Sequence, residues 1–287
     1  MSVWSGKTKG GVLGYSIFIF FLKNFGVGPA SALLYLVVPY YVLFDPKSSR
    51  ISYRFYKERL GFSTFKAAKH IFTNRITFGR VLLDKFAMMT PIKERYTFDC
   101  DGEERLHALG ETGKGGMIIT AHIGNWEIAG QLLDRLSTKI HVVMFDAEYQ
   151  KIKNLVSSQL GNRNFNVIAI KEDMSHIFLI NKALKNGEIL CIQGDRFLSG
   201  APTLELDFLG EKALFPKSVF DMASRLKVPV CFAFAMKDKG MHYKLNSSVA
   251  YEGMKSKELA EQYIKLVEQK VQDYPEQWFN FYDFWKK

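Results

Sequence analysis

Apolar positions change their period twice along the chain. From Gly11 to Phe44 they run almost unbroken, interrupted at Lys23-Asn24, and the part from Phe25 to Phe44 carries no charge. A helix needs about 20 apolar residues to cross a bilayer. The second part is therefore borderline and the first is too short alone. Pro39 should kink the second part, because it removes a backbone donor and crowds the preceding turn. Over residues 48–90 the period becomes helical. Tyr53, Tyr56 and Leu60, then Phe65, Ala68, Ile71 and Phe72, recur at spacings of three and four. Gly61 marks a break, Ser63 can cap the next helix, and Pro91 ends the region.

Beyond residue 95 short β-branched runs alternate with amphipathic ones. Strands are expected over 95–101, 117–121, 140–145, 166–170, 188–192, 228–236 and 243–249. Helices are expected over 103–110, 150–160, 175–184, 218–226 and 256–274. Residues 199–215 read as a loop with short β character. Strands separated by helices imply a sheet covered on both faces. The Lys239-Gly240 turn makes the last two strands a hairpin, so the sheet should be mixed. The expected fold is α/β, with a mixed, mostly parallel central sheet flanked by helices. An N-terminal membrane-anchoring helical segment is expected over residues 1–46 and one domain over 47–287, since no repeat or low-complexity linker divides the rest.

Charge sharpens the reading of the N-terminus. Lys7 and Lys9 precede the apolar stretch, and Lys47, Arg50, Arg54, Lys57 and Arg59 follow it. Three readings compete: a signal peptide with Ala30-Ser31-Ala32 as its cleavage-like site, a buried hairpin of a soluble core, or a membrane anchor. The apolar run continues past the cleavage-like site, which speaks against the first. Cations at both ends favour an anchor that spans once or dips in as a hairpin with both ends on the cytoplasmic face. They would also meet anionic headgroups. The chain's net charge of +10 has the same sense and suits polyanionic partners. No zinc-finger pattern or aromatic-and-glycine RNA motif supports nucleic acid as that partner.

The candidate chemistry lies where the strand over 117–121 stops at His122. A buried strand ending in histidine puts the imidazole at the sheet's carboxyl edge, where open α/β sheets bind ligands. A neutral imidazole is a general base near physiological pH, provided an acceptor fixes its tautomer. Glu127, in the first turn of the following helix, is placed to fold back toward it and would be favoured there by the helix dipole. The bland alternative is a structural histidine at a strand end. Thr120 shares the histidine's side of the strand but is a poor nucleophile. No Gly-x-Ser-x-Gly elbow is present, and Ser224 with Lys227 reads as plain amphipathic helix. Gly113, Gly115 and Gly116 lack the Lys-Ser/Thr ending of a phosphate-binding loop. Cys100, Cys191 and Cys231 have no metal or disulfide spacing, and the last two sit in apolar runs as small core residues. Without an in-chain nucleophile, the base must activate a hydroxyl brought by a substrate. Gly194-Asp195-Arg196 follows another strand and should reach the same edge. Asp195 and Arg196 are thus candidates for binding substrate, with Arg163 and Lys217 as weaker ones. Arginine offers forked donors to phosphate.

His122-Ile123-Gly124-Asn125-Trp126-Glu127 closely resembles the His-x-x-x-x-Asp/Glu block of glycerolipid-type acyltransferases, in the form found in bacterial lipid A late acyltransferases. Phe208-Leu209-Gly210 with Ala213, Phe215 and Pro216 resembles a second block of that family, and Tyr274-Pro275-Glu276-Gln277-Trp278 a third. The resemblance implies that His122 takes the proton of an acceptor hydroxyl and that Glu127 orients it. The alkoxide would attack the thioester of acyl carrier protein or acyl-CoA, with no cofactor beyond that co-substrate and no metal. Asn125 would help to position the thioester. It further implies a membrane lipid acceptor, with a lipid A precursor first, an anionic membrane surface, and a place on the cytoplasmic side of the bacterial inner membrane. Two departures concern the acceptor. Asp195-Arg196 stands where these enzymes often carry Asp-Gln, and Phe279-Asn280-Phe281 replaces a Trp-x-His-Arg-Arg continuation.

Overall fold

The computed structural model describes residues 12–128, 136, 138–145, 166–171, 173 and 175–285. Its strands are β1 (Thr97–Asp101), β2 (Gly116–Thr120), β3 (Ile140–Phe145), β4 (Asn166–Ile170), β5 (Ile189–Gln193), β6 (Thr203–Phe208), β7 (Glu211–Pro216), β8 (Val230–Lys237) and β9 (His242–Ser247). Seven of them form one sheet in the order β1-β9-β8-β2-β5-β3-β4. Within it β8 and β9 pair antiparallel, as their tight turn requires, and the remaining neighbours pair parallel. The expected mixed, mostly parallel sheet is therefore observed. The expected helix over 150–160 lies outside the described residues.

Strand alternation divides the core into two faces. Met117 and Ile119 of β2 pack with one face's helices, α8 (Lys217–Leu226) and α9 (Ser256–Asp273), through Phe220, Tyr263 and Val267. Ile118 points the other way, with Leu109 of α6 (Glu103–Glu111), Cys191 and Cys231. Burial pushes the Cys191 thiol up to about 12 and the Cys231 thiol to about 11. They are inert core residues, as their apolar runs suggest. Helix α7 (Ser175–Lys185) covers the β4 end with Ile180, Ala183 and Leu184.

The loop expected over 199–215 is a β-hairpin. β6 and β7 pair in register from Thr203–Pro216 to Phe208–Glu211. Leu209 (φ 52°) and Gly210 (φ 79°) make its turn, both left-handed, which matches the twist of a two-residue hairpin loop. The motif around residues 208–216 is thus partly a turn signature. It also supplies Phe208, fully buried and stacked on Trp285 with ring centroids 5.6 Å apart.

The N-terminal apolar stretch forms α1 (Val12–Phe25), α2 (Val27–Ala32) and α3 (Leu34–Phe44). The breaks fall at Gly26, whose φ of 84° cannot belong to a right-handed helix, and at Leu33. Pro39 lies inside α3 and does not end it. Its missing N–H removes one backbone bond, and the helix continues past it. Residues Val27–Phe44 are long and apolar enough to cross a membrane, and 17% of that window is buried. The buried part rests on α5 (Thr64–Ala87). Ile19, Leu22, Ala30, Leu34 and Val38 pack with Leu83 and Phe86, and a Cβ at Gly79 would collide with Leu34. Between them, α4 (Pro46–Arg54) is capped by the Asp45 side chain and α5 by Ser63, the cap read from the sequence.

Candidate active site

Register builds the site. β2 and β5 are parallel neighbours in which Thr120 stands beside Gln193. Two residues beyond the end of each strand come His122 and Asp195, which the parallel register brings to the same edge. His122 Nδ1 lies 2.8 Å from Asp195 Oδ1. The backbone N–H of His122 donates to Asp195 Oδ2 at 3.0 Å. One carboxylate therefore holds both the backbone and the ring of the same histidine. Asp195 is fully buried, whereas the His122 side chain keeps 15% of its surface.

A third donor completes the carboxylate's environment. Asn280 Nδ2 donates to Asp195 Oδ2 at 3.1 Å, and Asn280 Oδ1 accepts from Arg196 Nε at 2.8 Å. Burial alone would raise the Asp195 carboxyl. The charge and hydrogen bond of His122, with Arg196 and Asn280, outweigh it and hold the group at about 2. An ionised Asp195 accepts the Nδ1 proton of the imidazole. Nε2 is then the basic nitrogen.

The C-terminal segment closes over this edge as a short strand-like strap. Ile123 and Trp278 form an antiparallel bridge, Phe279 N–H donates to His122 C=O at 3.1 Å, and Gly124 N–H donates to Gln277 C=O at 3.1 Å. Gly124 has φ 63°, and a Cβ there would run into the Ala235 carbonyl of β8. Only glycine fits that close approach. The Gln277 side chain clamps the β8 backbone in both directions at Lys237. Thus the first and third sequence blocks meet at one sheet edge.

The other sequence candidates fall differently. The contact expected between Glu127 and the imidazole is not the one formed. Glu127 pairs with Lys85 of α5, and Asp195 takes Nδ1. The physical reason is direction. Glu127 lies in the helical turn that begins at Trp126, and the neighbouring helix α5 offers it an ammonium. Asn125 is buried and turned inward rather than toward a substrate. Its Nδ2 donates to Val81 C=O and to the Tyr243 hydroxyl, and its Oδ1 caps the turn by accepting from Ile128 N–H. Arg196 is directed to the C-terminal segment through Asn280 and the Phe279 carbonyl. Lys217 opens α8 and faces Asp221 one turn on, at 4.0 Å. Lys227 ends that helix exposed and left-handed, so no Ser224–Lys227 site forms. Arg163 lies outside the described residues.

Sequence reasoning missed Lys85, Asn280 and a buried cluster beneath Asn125. In that cluster Asp84 accepts from Lys237 (2.5 Å), Tyr243 (2.6 Å) and Tyr96 (2.7 Å). Burial, together with Asp84, pushes the Tyr243 and Tyr96 hydroxyls up. They remain neutral donors.

The pocket next to this edge is apolar. Ile118 and Thr120 of β2, Cys191 of β5 and Ala233 of β8 line it with Trp126 and Leu136. Its lining thus includes the last residue of β2 and the first of the helical turn that follows His122.

A family model described as bacterial lipid A biosynthesis acyltransferase matches residues 70–287. The chain belongs to that family. No curated protein matches it. As a member of the lipid acyltransferases, it carries the matched region from within α5 to the C-terminus, and that region contains every residue of the His122–Asp195 cluster. The helices α1–α4 lie before it.

Proposed function

We propose that this acyltransferase moves a fatty acyl chain from the thioester of acyl carrier protein or acyl-CoA to a hydroxyl of a membrane lipid. A lipid A precursor is the leading acceptor, and another hydroxylated lipid is the alternative that the residues after Trp278 keep open. The observation that carries the reading is a histidine oriented by a buried carboxylate, at a sheet edge beside an apolar pocket, in a chain of this family.

In this reading the acceptor hydroxyl gives its proton to His122 Nε2 as its oxygen attacks the thioester carbonyl. Asp195 stabilises the resulting imidazolium. The tetrahedral intermediate then expels the thiolate, which takes the proton back from His122. The ester forms, the C–S bond breaks, and the base is regenerated. The pocket lined by Thr120, Cys191 and Ala233 would receive the carbons next to the carbonyl. Glu127, the motif's carboxylate, enters as the partner that fixes Lys85 and the first helical turn at the same edge. The N-terminal apolar helices would keep the domain at the membrane where the acceptor resides, on its cytoplasmic side.

The test is transfer from an acyl carrier protein thioester into membrane lipid, together with mass-spectrometric lipid profiles of a deletion strain complemented by wild type or His122→Ala. We expect His122→Ala to lower transfer by roughly 10²–10⁴-fold while the protein stays in the membrane fraction. Undiminished transfer would refute the base assignment. An unchanged lipid A acylation pattern in the deletion strain would exclude the leading acceptor.

A further inference from the structure

One stripe of α5 has two different coverings. Phe65, Ala68, Phe72, Ile76, Gly79 and Leu83 follow one another at spacings of three and four, which places them along one line of the helix. In the second half of that line, Ile76 and Leu83 pack into the cluster of α1–α3, and Gly79 backs Leu34. Among the described residues nothing comparable lies over the first half. Phe65 is 82% exposed and Phe72 is 39% exposed. The stripe therefore continues the line on which the apolar N-terminal helices rest, and their own outer residues Leu36, Leu43 and Phe44 are exposed as well.

Cations outnumber acids around the bare half. Lys66 and Lys69 flank Phe65 on the helix, and Lys47 and Arg50 of α4 are exposed cations as well. Lys57 reaches the start of α5, with Nζ 3.4 Å from Thr64 Oγ1. Lys66 lies over the Phe62 ring, 3.7 Å from its centroid. The acid of this stretch, Glu58, pairs with Arg54 at 3.1 Å. Aromatic residues set among lysines on an exposed helix face suit the boundary between headgroups and acyl chains. There the rings enter the apolar layer while the ammonium groups meet anionic lipid.

We propose that the first three turns of α5 form a second membrane contact, in which Phe65 and Phe72 insert beside the N-terminal helices and Lys66 and Lys69 bind anionic headgroups. This rests on the reading of α1–α3 as the membrane anchor. Two contacts along one rigid helix fix the tilt of the domain, where a single anchor would let it rotate. The same helix carries Val81 and Lys85, which hold Asn125 and Glu127, so the tilt sets how the His122 edge meets the bilayer.

The experiment places an environment-sensitive fluorophore at Phe65→Cys in the full chain with Cys100→Ser, since Cys191 and Cys231 are buried. The protein is reconstituted in vesicles of phosphatidylethanolamine and phosphatidylglycerol containing a nitroxide-labelled lipid. Parallel probes at Leu36→Cys and at the exposed Lys212→Cys mark the anchor and the solvent. Expected are a blue shift and quenching at 65 that approach those at 36, with loss of quenching at 65 in Lys66→Glu/Lys69→Glu. Quenching at 36 with a solvent-like probe at 65 overturns the second contact and leaves the anchor intact. Solvent-like probes at both positions overturn the anchor reading and this proposal together. A probe at 65 that is unquenched but shifted by added acyl carrier protein overturns it in favour of a protein partner.

Discussion

His122 and Glu127 stand five residues apart in one motif, yet different parts of the molecule hold them. His122 is tied to β5 through Asp195 and to the C-terminal segment through backbone bonds. Glu127 is tied to α5 through Lys85. The first set of bonds surrounds a fully buried carboxylate, and the second joins two side chains that keep some contact with solvent, at 11% and 18% exposure. A sequence motif is thus two devices. One sets the tautomer of a base. The other docks the helix carrying the N-terminal apolar segment onto the loop beside that base.

The comparison breaks most visibly on the Asp195 side. Asp195→Asn keeps the shape but removes the charge that stabilises the imidazolium and lets the ring take the wrong tautomer. We expect kcat to fall by about 10²–10⁴-fold with KM little changed, in initial-rate measurements with acyl carrier protein thioester. The same group predicts a pH effect. Its folded value of about 2 lies below the ordinary carboxylate value, so its contribution to stability is fully present above that ordinary value and is lost as pH falls toward 2. Denaturant unfolding should show the wild type's advantage over Asp195→Asn shrinking between about pH 5 and pH 2. An advantage independent of pH would mean that Asp195 is not the ionised partner.

A smaller effect is expected on the other side. Lys85→Met strands the Glu127 carboxylate in a largely buried position. It should cost about 1–3 kcal/mol of stability and roughly tenfold in kcat, with Lys85→Arg recovering most of both. The cycle joining Lys85→Met and Glu127→Gln should show a coupling of about 0.5–3 kcal/mol. Combining Lys85→Met with Asp195→Asn should be additive in stability to within about 0.5 kcal/mol. Strong coupling across that second pair would show that the two ends of the motif are one device after all.

The sheet was legible because its evidence is local. Runs rich in β-branched residues marked the strands of residues 116–120, 140–145 and 166–170 nearly to the residue, and the Lys239-Gly240 turn marked the antiparallel pair β8–β9. His122 was legible for the same reason, as the first residue beyond the loss of strand character. Its partner was placed at the same edge as a substrate-binding candidate, but not in contact with the ring. Asp195 follows β5 as His122 follows β2, but nothing local says that β2 and β5 are neighbours. The spacing to Glu127 then looked like the shorter route to the ring. Lys85 lies 42 positions upstream of Glu127 on a helix whose apolar stripe says nothing of its polar edge. The hairpin over 203–216 was half legible, because Leu209 carries no signal for a left-handed backbone. The interruption read at Lys23-Asn24 falls just before the break at Gly26, whose left-handed φ glycine permits and does not dictate.

The departures after Trp278 gain a physical meaning from the first side of the comparison. Asn280 donates to Asp195 and accepts from Arg196, so this residue serves the base as well as any acceptor. Asn280→Ala removes one of the carboxylate's three donors and releases Arg196. The expected loss is about 1 kcal/mol, or roughly fivefold in kcat, the smallest effect in this series. Asn280→Asp should do more than the alanine variant. It sets a second carboxylate beside Asp195, where the wild-type contact is 3.1 Å, so the pair tends to share a proton. Sharing raises the folded-state value of Asp195 toward or above its unfolded value. The stability it lends is then lost at a higher pH than in wild type, and the acid side of the kcat profile should move the same way. A profile that stays in place in Asn280→Asp would detach Asn280 from the His122–Asp195 pair and assign it to holding Arg196 alone.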